Sequence, residues 1–119
     1  MATSVALVHD EPAFVVSATA ALERAGFEVM SFSYPMIAMN EIESARTVDT
    51  LITRVGFPSG KPTGISLALV LRTKLPRLNI VFVARDERET FTEGIGVLIP
   101  HPVYIQRLIE AVRARPDSN

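Results

Sequence analysis

The chain has 119 residues, 48% hydrophobic and 21% charged, with mean hydropathy +0.27, which fits one ordinary domain with a proper core and excludes a disordered segment. A net charge of −1, a pI of about 6.1 and scattered Lys and Arg leave no electrostatic footprint for nucleic acid. There is no cysteine for disulfide or thiol chemistry, and no apolar run approaches the ~18 residues that span a bilayer.

The opening "MATSVALVHDEP" has no basic segment and too short an apolar run for a signal peptide, so a cytoplasmic location is expected. Within it "SVALVHD" (4–10) is dense in Val and Leu, the mark of a strand covered on both faces. Glu11 and Pro12 read as a helix cap and first helical position. Residues 12–26 follow as a helix with Val15, Ala18, Leu22 and Ala25 on one stripe and Gly26 as its stop. "FEVMSF" (27–32) alternates and predicts a strand near a sheet edge. A helix over 35–45 opens on Pro35, and "TLITRV" (50–55) is the next buried strand. "GISLALVLRTKL" (64–75) is a helix, ended before Pro76, with Ile65, Leu69 and Arg72 marking its faces. "NIVFVA" (79–84) is a strand, 85–94 a short helix at best, and "VLIP" (97–100) a short strand. The helix over 103–115 turns Ile105, Leu108, Ile109 and Val112 inward. Met30, Met36 and Met39 read as core fillers.

Strands alternating with helices imply a parallel sheet covered on both faces. Ligands of such sheets bind beyond the carboxyl ends of the strands. The residues there are His9, Asp10 and Glu11, Arg54, Ala84 and Arg85, and Pro100, His101 and Pro102. Arg54 is the odd one, a permanent cation where a buried strand surfaces.

Over nearly its whole length the chain resembles the receiver domains of two-component response regulators, the CheY-like superfamily. "LVHDEP" is similar to the family's first strand end with its acidic pair. "DTLITRVGFP" is similar to the third strand, which carries the phosphoacceptor aspartate, with Pro58 four positions after Arg54. "NIVFVA" and "VLIPHPVYIQRLIEAVRA" are similar to the fourth strand and to the fifth strand, Lys-Pro signature and last helix. The resemblance implies a flavodoxin-like, three-layer α/β/α sandwich with a five-stranded parallel sheet in the order 2-1-3-4-5. It implies a receiver-like domain over 1–115, a frayed tail over 116–119, and no enzyme activity.

On that pattern the phosphorylation pocket is degenerate. Arg54 stands at the phosphoacceptor position, His101 at the Lys position before a retained Pro102, and Ala84 at the Thr or Ser position. His9 and Asp10 fill the acidic pair, with Glu11 next, and Leu98 takes the aromatic switch position. Guanidinium is no phosphoryl nucleophile, and its charge repels Mg²⁺, which needs oxygen ligands. No cofactor is expected, Mg²⁺ binding is expected to be lost or weak, and Asp10 is the only retained metal-ligand candidate. Arg54 and Asp10 end neighbouring strands in the implied topology, so either they form an ion pair or Arg54 points to solvent. Seventeen positions separate Ala84 from His101, fewer than is common in the family, so the fourth helix is expected to be shortened or missing.

The implied function is a degenerate receiver in bacterial two-component or phosphorelay signalling. It would act by phosphorylation-independent contact with a kinase, regulator or effector, or by self-association, with neither nucleic acid nor membrane as a direct partner. Two alternatives remain. One is a small-ligand or metal sensor at the mouth lined by His9, Asp10, Glu11, Arg54 and His101. The other is phosphorylation at a non-standard residue such as Asp10, Glu11 or Thr53. "GFPSGKPT" (56–63) lacks the P-loop spacing and puts Pro62 where a metal-binding hydroxyl is required, so it reads as a turn. Arg85 to Glu89 reads as a solvated charged strip.

Overall fold

Runs of Val, Leu and Ile without polar alternation must be covered on both faces. A computed structural model, describing residues 3–45, 47–57, 63–84, 94–100 and 103–114, shows how this is done. The elements in chain order are β1 (Ser4–Val8), α1 (Pro12–Arg24), β2 (Glu28–Phe32), α2 (Pro35–Ala45), β3 (Thr50–Arg54), α3 (Gly64–Lys74), β4 (Asn79–Ala84), β5 (Val97–Pro100) and α4 (Ile105–Arg113). The strands form one parallel sheet in the order β2-β1-β3-β4-β5.

Side chains alternate between two cores. Ala6, Val8, Leu51, Ile80, Phe82 and Ala84 pack with Ala38 and Ile42 of α2 and with Leu67, Ala68 and Leu71 of α3. Val5, Leu7, Ile52, Val81, Val83 and Ile99 pack with Ala18 and Leu22 of α1 and with Leu108, Ile109 and Val112 of α4. Each helix pair therefore covers one face, giving the expected three-layer sandwich. β2 and β5 lie at the edges and are the strands with wetter patterns.

The expected elements stand, with differences at their ends. β1 stops at Val8 rather than residue 10, although the His9 amide still donates to the Phe32 carbonyl at 3.0 Å. Gly26 does end α1, with φ of 99°. On α3 the buried face is formed by Gly64, Leu67, Ala68 and Leu71, while Leu69 is 48% exposed. Met36 is likewise 53% exposed rather than a core filler, whereas Met30 and Met39 pack against the core. The residues expected to hold a shortened helix, 85–93, lie outside the described residues, as do Pro58, His101, Pro102 and the tail from 115.

Gly64 explains the rotation of α3. Its amide donates to the Val55 carbonyl at 2.8 Å, which pins the helix start against the end of β3. A Cβ there would lie 1.6 Å from the Arg54 carbonyl oxygen and 3.0 Å from the Thr53 hydroxyl. Thr63 completes the start: its hydroxyl accepts from the Ser66 amide at 3.1 Å. With the first residue fixed in this way, the position of every later side chain around the helix follows.

Gly64→Ala is expected to destabilise the fold by about 3 kcal/mol, because backbone, rather than a movable side chain, meets the new methyl. Gly56→Ala, which meets nothing within 4 Å, serves as the control in the same denaturant titration. Equal losses in the two variants would contradict the close approach.

Candidate functional site at the strand ends

β1 and β3 are neighbours, with Val8 beside Thr53, so the residues following each strand emerge together. Asp10 lies two residues past the end of β1 and Arg54 is the last residue of β3. The Arg54 Nη1 donates to Asp10 Oδ1, forming a charge-assisted hydrogen bond and ion pair. Both side chains are partly buried, 19% exposed for Arg54 and 28% for Asp10. Arg54 therefore does not point to solvent. Its guanidinium also lies 5.9 Å from the centre of the Phe57 ring, within cation–π range.

His9 is not the surface imidazole that its place at the mouth suggests: the residue is 6% exposed. Its Nδ1 accepts a hydrogen bond from the Glu11 amide at 3.1 Å, and its ring lies 4.5 Å from that of Phe14. A nitrogen that accepts carries no proton, so the imidazole is neutral with its proton on Nε2. Burial foremost, then the Arg54 charge, lowers its pKa from 6.5 to about 4, against the opposing pull of Asp10 and Glu11. For Asp10, burial acts to raise the carboxyl, but the hydrogen bond and charge of Arg54 outweigh it and hold the group below its ordinary range.

The remaining predicted residues sit around this pair. Glu11 is exposed at the N-cap of α1 but makes no side-chain cap bond, and Pro12 opens the helix. Ala84 ends β4 at 3% exposure, facing the α2–α3 core. Thr53, one of the alternate acceptors considered, is wholly buried, and its hydroxyl donates to the Arg54 carbonyl at 3.0 Å. Leu98 packs partly buried against the same core as Ala84. His101 and Pro102 fall outside the described residues. Among the described residues, no group of three His, Asp or Glu side chains is placed to hold a metal ion. A cleft of about 290 Å³ opens beside His9, walled by Phe14, Val83, Val103 and Ile105. Phe14 and Phe57 were not singled out in the sequence, because an aromatic near a turn has no distinguishing pattern until the turn is folded.

No family sequence model matches the chain, and no curated protein matches it by sequence. Solved structures do match. A response regulator receiver protein from Sinorhizobium medicae WSM419 superposes with a TM-score of 0.85 at 25% identity, over 96% of this chain and 97% of that one. The receiver domain of the hybrid histidine kinase CckA gives 0.80 at 26% identity, over 94% of this chain and 97% of that one. The chain folds as a receiver domain. The chemotaxis protein CheY4 of Vibrio cholerae shares the fold at 18% identity, with a TM-score of 0.85 over 97% of this chain and 99% of that one. The receiver frame places the ion pair at the switch point: Arg54 ends the third strand and Asp10 lies just past the end of the first.

The lowered pKa of His9 makes the receiver domain acid-sensitive. Between pH 6.5 and about 4 the unfolded chain takes up a proton at His9 that the folded chain refuses. Stability should therefore be full above pH 6.5 and fall as pH drops toward 4, with the lowered Asp10 carboxyl extending the loss at still lower pH. Removing the Arg54 charge by Arg54→Met should raise the His9 midpoint yet leave it below 6.5, since burial is the larger cause. An NMR titration of the imidazole reads this directly, and an unmoved midpoint would contradict the coupling.

Proposed function

We propose that this receiver domain is a pseudo-receiver of a two-component or phosphorelay system, working by protein–protein contact without aspartyl phosphorylation. The ion pair between Arg54 and Asp10 carries the reading. The phosphoacceptor position holds a guanidinium, which cannot accept a phosphoryl group. The same guanidinium engages the carboxylate that a metal would need. The donor set here (one paired carboxylate and a neutral imidazole already bonded through Nδ1) does not fit Mg²⁺, which takes oxygen ligands. Ala84 supplies no hydroxyl to grip a phosphoryl oxygen. The domain is accordingly a binding module rather than an enzyme, and its location is cytoplasmic.

In this reading the fixed charge pair holds the strand ends in one arrangement without a signal. A partly exposed pair adds only about 0–1 kcal/mol of stability, so its contribution is geometric. The partner is a kinase, regulator or effector, or a second copy of the chain. The matched receiver of a hybrid histidine kinase is consistent with such a setting.

Incubation with acetyl phosphate and Mg²⁺, followed by intact-mass measurement, is expected to show no phosphoryl adduct. An adduct on any residue would overturn the reading. Arg54→Asp alone should not make the domain phosphorylatable, because Ala84 and His101 still lack the hydroxyl and ammonium that the family uses. An adduct on the variant but not on the native chain would assign the whole loss to Arg54.

A further inference from the structure

We propose a small-oxyanion binding site at the opposite end of the sheet from the strand-end pocket. A cavity of about 470 Å³ opens there, between the end of α3, the turn before β4 and the residues leading into β5. Arg72 and Arg77 both line it, and none of the described residues lining it is acidic. Pro76, Leu78 and Ile95 supply apolar walls. Two cationic residues on one cavity repel each other. An anion seated between them relieves that repulsion.

Arg72 is held in place for the task. Its Nη2 donates to the Leu78 carbonyl at 2.9 Å, which anchors one edge of the planar group. Its Nε is buried and has no hydrogen-bond partner among the described residues. A buried donor left unmatched costs about 1–3 kcal/mol. With Nη2 held by the Leu78 carbonyl, Nη1 of the same planar group is the donor left for a bound oxygen. Lys74, in the same helical turn, does not compete, because it pairs with Glu43 at 3.5 Å. The carbonyl end of α3 opposes an anion with about half a charge, which two full positive charges outweigh.

The ligand class follows from these groups. Guanidinium forks match carboxylate and phosphate oxygens. The apolar walls favour an anion with a small hydrophobic body over a bare ion. The site is independent of the strand-end pocket and of whether the domain is phosphorylated.

The test is an NMR titration of the full chain with inorganic phosphate, acetate and benzoate at constant ionic strength. Saturable shifts are expected at the amides of Gly94, Ile95 and Gly96 and at the Arg72 Nε–H, and the anion that saturates at the lowest concentration names the class. R77Q, which spares the Arg72 bond to Leu78, should weaken binding about tenfold, the loss of one charge-assisted hydrogen bond. R72K keeps the charge but removes the planar fork anchored on Leu78, and should abolish the shifts at Gly94 to Gly96. Shifts that stay linear and spread over the surface, or binding unchanged in R77Q, would overturn the site.

Discussion

Arg54 carries a permanent charge at the end of a strand that is otherwise buried, and that charge has to be answered where it emerges. The parallel pairing of β1 with β3 brings Asp10 to it. The other features of the strand ends follow from this contact. Asp10 is held ionised, His9 is held neutral beside the cation, and Phe57 covers the guanidinium from the loop side. In a phosphorylatable receiver the same place would gather negative charge and a metal. Here the Arg54 cation is paired with the Asp10 carboxylate.

The contact depends on how α3 is seated. Gly64 lets the helix start press on the carbonyl of the residue that makes the ion pair. The backbone of Arg54 is thus clamped from the α3 side while its side chain is held from the β1 side. Strand-end geometry and helix rotation are one constraint here, and a methyl group at Gly64 would disturb both.

Much of the fold was legible beforehand. Continuous apolar runs marked β1, β3 and β4 as central strands, and the alternation in "FEVMSF" marked β2 as an edge, because burial on one or two faces leaves different periods. The bounds of α2, β4 and β5 came out as expected, each framed by Pro, Gly or a polar break. The buried face of α3 and the exposure of Met36 were not legible, and for a common reason. Each concerns a helix whose apolar residues nearly encircle it, so periodicity alone could not say which side faced the sheet.

Residue types and spacing by themselves pointed to the receiver architecture and placed a permanent cation at residue 54, since a guanidinium keeps its charge in any fold. Whether that guanidinium met Asp10 or water was open in the sequence. The two are 44 positions apart, and only strand pairing brings them together. The burial of His9 against Phe14, the cover of Phe57 and the meeting of Arg72 and Arg77 on one cavity were decided in the same way. Charge and hydrogen-bonding capacity belong to the residue, but distance and solvent exposure, which set what those capacities do, belong to the folded chain.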